Sequence, residues 1–126
     1  MIRCATVAAL LLATALPATA QSPRNFTAQT LRGELVVTAP PEVLLNRQPA
    51  RLAPGSRIRD ANHLLQLSGA LIGQRLMVHY TLDTMGNVLD VWVATPAELA
   101  RQPWPVTPQQ AASWLFNADL QAWSAR

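Results

Sequence analysis

The side chains best suited to chemistry gather on one stretch of the chain. Over residues 75–94, Leu76, Val78, Tyr80 and Leu82 alternate with Met77, His79 and Thr81, Asp83-Thr84-Met85-Gly86 intervenes, and the alternation resumes from Val88 to Val93. This pattern predicts a β-hairpin. With Gly86 at a loop position that tolerates positive φ, Leu82 pairs with Asn87, Tyr80 with Leu89, Val78 with Val91 and Leu76 with Val93. Paired residues point the same way, so His79 stands opposite Asp90, and Met77 opposite Trp92, on the face away from the apolar one. An imidazole beside a carboxylate is the base and orienter of a hydrolytic triad. A cross-strand contact facing solvent explains the same pair without chemistry, and the chain lacks a Gly-x-Ser-x-Gly elbow to supply the nucleophile.

Met77 and His79, with Met85 at the hairpin tip, offer the soft thioether and imidazole ligands that suit Cu(I). Packing of Met77 beside Trp92 accounts for that methionine equally well. Zinc is less well served by His63 and His79 alone. The acids are scattered singly, so no paired carboxylates suggest glycoside chemistry. Met77, His79, Asp90, Trp92 and Trp104 therefore form the candidate binding set, with no catalytic or metal set assigned and no cofactor expected. Trp104, Trp114 and Trp123, near Arg101 and Arg126, could anchor a partner. Their commoner fate is to pack on their own domain.

The N-terminus says where the protein works. Arg3 precedes an uncharged run from Ala5 to Leu16, then Pro17 and Ala18-Thr19-Ala20, the order of a secretory signal peptide cleaved after Ala20. The run is too short to cross a bilayer as a helix, which needs about 20 apolar residues. Cys4 lies in the segment expected to be removed, and it precedes the apolar run, unlike a lipid-accepting cysteine. The mature chain would then carry no disulfide, no thiolate and no lipid anchor. All ten basic residues are arginines against seven acids, and loss of Arg3 lowers the net charge from +3 to +2. Export and weak charge argue against a nucleic-acid partner, and no second run is long enough to span a membrane.

Elements able to position the hairpin follow from local pattern. Residues 21–30 are polar and aperiodic and are expected to form a flexible leader. Leu31, Leu35 and Val37 alternate with Arg32 and Glu34, which predicts a half-buried strand ended by Pro40-Pro41. Short apolar runs at Val43-Leu44-Leu45, Arg51-Leu52, Arg57-Ile58-Arg59 and Leu64 to Leu67 are divided by turn residues, including Pro54-Gly55. Arg57 and Arg59 share a face, which reads either as a solvated surface around a buried Ile58 or as an anion-binding patch. Ser68 to Gly73 could be a loop, a bulge or a helical turn. Thr95-Pro96-Ala97-Glu98 and Thr107-Pro108-Gln109-Gln110 each place a Thr cap, a first-turn Pro and an acid or amide three residues on. Two short helices are expected, over 96–101 and 108–116, with Asn117 capping a further turn that carries Leu120 and Trp123. The expectation is a mainly β fold, a small antiparallel barrel or sandwich of about six to seven strands over 31–94. A Trp-rich segment, 95–126, with two short helices would pack on it.

Leu45-Asn46, Gln48 to Leu52, Pro54 to Arg59, Leu67 to Gly73, Tyr80 to Asp83, Met85-Gly86 and Val91-Trp92 together resemble a family of small exported proteins of Gram-negative bacteria with no assigned activity. The resemblance covers nearly all of the mature chain and implies a periplasmic domain, with no catalytic residues to carry over. The hairpin alone is also similar to that of the TonB C-terminal domain. The functional expectation is a non-catalytic binding or accessory protein of the cell envelope, whose partner is another protein or an anionic envelope component. The alternatives are a small periplasmic hydrolase using His79 and Asp90, or a Cu(I) protein using Met77 and His79.

Overall fold

Apolar alternation decides the first strand, β1 (Leu31–Ala39), which buries Leu31, Leu35 and Val37 on one side. β2 (Glu42–Leu45) returns along it. Asn46 and Arg47, both at positive φ, then form a two-residue turn into β3 (Gln48–Arg59), a turn whose twist matches that of paired strands. The computed structural model describes residues 24–125. The expected signal segment, its cleavage point after Ala20 and Cys4 lie outside the described residues.

Among the described residues the fold is mainly β, with eight strands in two sheets and two short helices. After β3 come β4 (Leu65–Gln66), a single 3-10 turn at Ser68–Ala70, β5 (Arg75–Leu82) and β6 (Val88–Val93). β1 pairs with β2, β2 with β3, β3 with β6, β6 with β5, and β5 with β1 again, so five strands close a ring. β4 hangs on β3 outside the ring as an edge. The β3–β6 pairing is parallel and the other pairings between these strands are antiparallel, with one further parallel bridge between Val37 and Ile72. Val43, Leu52, Ile58, Val78, Tyr80, Val88 and Val91 fill the ring with the β1 residues, and Leu71 joins them from the excursion between β4 and β5. Each such side chain contributes about 1.5–3 kcal/mol by leaving water.

Several local expectations need correction. Pro54-Gly55 does not divide two strands. Gly55, at φ +77°, lets β3 bend while remaining one strand, and its register on β6 slips between Leu52 and Arg57. Ile58 is buried with the flanking arginines on the opposite face, as the alternation predicts.

The β5–β6 hairpin forms in a different register. Asp83 N–H donates to the Asn87 carbonyl at 2.8 Å, and the Asp83 carboxylate accepts the Met85 and Asn87 amides, so the turn closes one residue tighter than expected. A bulge between Tyr80 and Leu82 adds a second one-residue step. Tyr80 then faces Val91, and His79 faces Trp92 rather than Asp90.

The C-terminal segment contains α1 (Pro96–Leu99) and α2 (Pro108–Ser113), each capped by its threonine. Beyond α2 the expected helical turn is instead a hairpin of β7 (Leu115–Asn117) and β8 (Ala122–Ser124). Asn117 does cap the reversal, accepting the Leu120 amide, but between strands. The leader also departs from expectation, because Arg24, Phe26 and Thr30 are buried. Phe26 pairs its backbone N–H and C=O with the amide side chain of Gln121 at 2.6 and 3.1 Å, which ties the two ends of the described chain together.

Candidate functional site

Arg32 on β1, His79 on β5 and Trp92 on β6 lie side by side on the outer face of the ring, since Arg32 registers with His79 and His79 with Trp92. In a two-layer sandwich this face would be wet. Here the leader and the Trp-rich segment cover it. Phe26 stacks on the His79 ring at 4.3 Å between centroids, Trp104 meets it edge-on at 4.9 Å, and Trp123 packs on Trp104. Trp104 and Trp123 are buried in their own domain, and the Trp104 indole N–H donates to the Thr30 carbonyl at 3.0 Å.

Beneath these rings lies a charged cluster. Arg24 donates from Nε (2.9 Å) and Nη2 to the two oxygens of Glu98, and also to the Asp60 and Val93 carbonyls. Glu98 is at the same time the third residue of α1, where it accepts the Thr95 amide while Thr95 Oγ1 accepts the Glu98 amide. One carboxylate thus caps a helix and neutralises the leader arginine. Burial works to raise the Glu98 carboxyl, but the hydrogen bonds from Arg24 and Thr95 and the Arg24 charge outweigh it and hold it below its ordinary range.

Arg32 donates to His79 Nε2 and to the carbonyls of Glu98 and Arg101, with its guanidinium 5.2 Å from the Trp104 ring centroid. Burial lowers the pKa of Arg32, which Glu98 offsets in part. Because His79 Nε2 accepts from a permanent cation, the neutral ring carries its proton on Nδ1, which is buried and has no hydrogen-bond partner among the described residues. Burial first, and the charge of Arg32 next, push His79 down to about 3. The ring is enclosed and its Nε2 lone pair is taken by Arg32, so His79 presents no free lone pair to solvent.

Asp90 belongs to a different neighbourhood. It registers with Arg57, and its carboxylate lies 3.6 Å from Arg59 Nη1. The structure therefore does not bring His79 and Asp90 together as a dyad. Met77 shares its strand face with His79 but is 43% exposed and registers with Glu34. Met85 sits at the exposed hairpin tip. The methionines and His79 Nε2 thus form no common ligand set, and no cluster of three or more His, Cys, Asp or Glu occurs among the described residues.

Where the cluster meets solvent, Arg32, Gln102, Pro103 and Trp104 line an open cleft of about 530 Å³. Arg101 stands next to it in sequence, and its charge acts on both Arg32 and His79. Its Nη1 is buried with no hydrogen-bond partner among the described residues. Of the predicted residues, His79, Trp92 and Trp104 converge here while Met77 and Asp90 do not. Arg24, Arg32 and Glu98 are not candidate site residues by sequence pattern, and Arg101 enters there only as a neighbour of the tryptophans. The clue to Glu98 was the capping box, and the clue to Arg32 was an arginine placed at the start of an otherwise apolar strand.

Fold and site together define a small mainly β domain whose Arg32 and His79 are covered by the two ends of the described chain. No helix among the described residues is long and apolar enough to cross a membrane. The chain matches no family model, no curated protein and no solved structure.

Proposed function

We propose that this is a non-catalytic binding protein of the cell envelope that holds an anionic group, a phosphate or a carboxylate, at the cleft beside Trp104. The observation that carries this reading is a charge imbalance. Three guanidiniums, of Arg24, Arg32 and Arg101, act on the neutral His79 against the single carboxylate of Glu98. Arg24 and Arg32 are committed to protein acceptors. Arg101 keeps an unmatched buried donor. A planar guanidinium with free donors in a partly desolvated setting is suited to bidentate recognition of an oxyanion.

Two further features support the reading. The signal-peptide pattern of residues 1–20 favours an exported, periplasmic protein. The ring of five strands, ordered β1-β2-β3-β6-β5, is comparable in strand number to small Greek-key barrels that bind oligosaccharides and oligonucleotides. That second support is analogy of fold, which by itself does not fix function. Hydrolysis by His79 and Asp90 loses its basis once the two are separated.

Titration of inorganic phosphate and of acetate into the purified protein, followed by NMR at the Trp104 indole N–H, tests the proposal. The expected result is a saturable shift with at least one anion that Arg101→Gln removes. Absence of saturation with both anions at high millimolar concentration overturns it.

A further inference from the structure

A second surface shows a different chemistry. Between β3 and β5 the chain makes an excursion that leaves Leu64, Leu65, Leu67 and Ile72 exposed at 61, 67, 81 and 53%. These side chains are not the by-product of a loose loop. The Asp60 carboxylate accepts the Asn62 and Leu64 amides and the Gln66 side chain, and Asp60 N–H donates to the Leu64 carbonyl. The same segment is anchored from its other end by buried Leu71 and by Gly73 N–H donating to the Val37 carbonyl. The fold thus holds aliphatic side chains in water on a fixed frame.

Their neighbours are basic. Leu65 registers with Arg59 and Gln66 with Ile58. Leu67 continues in extended conformation, φ −80° and ψ 133°, which carries it toward Arg57 on the same face. Arg59 also lies 6.0 Å from the Trp92 ring centroid. Asp90 is the acid on this face, 3.6 Å from Arg59 Nη1 and in register with Arg57, and none occurs in the chain between Asp60 and Asp83.

Exposed leucines beside arginines, on the outer edge of a sheet, match the two parts of an anionic lipid surface, an apolar boundary beneath negative headgroups. We infer that the β4 edge docks on an anionic membrane surface, with Leu64, Leu65 and Leu67 entering the interface and Arg57 and Arg59 at headgroup level.

Co-sedimentation of the purified protein with vesicles of phosphatidylcholine alone, or with added phosphatidylglycerol, tests this. Binding is expected only with phosphatidylglycerol and should weaken with salt. Arg57→Gln should weaken it about fivefold, and the double variant Leu65→Ser, Leu67→Ser about tenfold or more. These side chains are solvent-exposed, and retained Trp fluorescence and unchanged urea midpoints establish that the variants fold. No sedimentation with either vesicle, or equal binding by the double variant, overturns the inference. So does a dimer in analytical ultracentrifugation that the double variant abolishes, because the leucines then contact a second copy. Arg101→Gln should bind vesicles as the wild type does, which separates failure here from failure of the anion site.

Discussion

Acid should destabilise this protein well above the carboxylate range, and His79 should be the cause. The folded state holds His79 near a pKa of about 3, whereas an imidazole in an unfolded chain titrates near about 6.5. The folded value is depressed, so the stabilisation is fully present above the unfolded pKa. It is lost as pH falls from there toward the folded pKa, because only the unfolded state takes up the proton. The slope is about 1.4 kcal/mol per pH unit, giving a loss of about 2 kcal/mol by about pH 5 and about 5 kcal/mol at the acid limit.

Against a total stability of about 5–15 kcal/mol for a small domain, that is a large fraction. Glu98 adds its own loss only lower, below the ordinary carboxylate range of about 4.3, because its folded carboxyl is depressed too. Urea unfolding followed by Trp fluorescence at about pH 7.5, 6 and 5 isolates the histidine. His79→Gln keeps an acceptor for Arg32 and should flatten the pH dependence over that window, whatever its absolute stability. NMR of the wild-type imidazole should show no titration across the same range. A wild type whose stability is level from about pH 7.5 to 5, or an imidazole that titrates in that window, refutes the reasoning.

Arg24→Gln leaves the buried Glu98 carboxylate without its counter-ion and should cost about 3–5 kcal/mol in urea unfolding. Gly33→Ala would place a Cβ 2.7 Å from Asn46 Oδ1, the atom that accepts the Glu34 amide. That overpacking should lower stability by about 1–3 kcal/mol, and Gly33→Ala combined with Asn46→Gly should recover part of the loss in thermal melts. Thr95→Ala removes the cap of α1 and should cost about 1 kcal/mol, a change small enough to leave the fold intact by circular dichroism.

The two levels of the hairpin show what sequence could and could not reveal. Alternation in β5 places Val78 and Tyr80 inward, and both are buried. The expected partners were wrong by two positions, yet Val91 still faces inward, because a slip of two preserves the side of the sheet. On the turn side of the bulge, at Leu82 and Val88, the slip is only one, and there the expectation does invert: Val88 is buried where Leu89 was expected. The origin is local and chemical. An Asp83 carboxylate that takes two backbone amides selects a tighter turn than loop length alone suggests, and the bulge near Asp90, whose amide donates to Thr81 Oγ1, has no signature in alternation.

The site was hidden for a different reason. Period-two alternation separates inward from outward residues but does not say what lies outside, and a face labelled polar reads as wet. Arg32 and His79 carry that label and are both buried. What covers them comes from the two ends of the described chain, brought together across 95 residues by the pairing of Phe26 with Gln121. The tryptophans at 104, 114 and 123 signal that something must be covered, because they need apolar neighbours, whereas Phe26 is lost in a leader whose composition reads as polar. The location of the cover has no such signal. Once the rings settle over β1, β5 and β6, the outward charges lose their water and must be satisfied internally. Arg32 turns to carbonyls and to a neutral imidazole, and Arg24 to the capping glutamate. Arg101 is left with a buried Nη1 that meets no acceptor among the described residues, and the proposed anion site rests on that surplus.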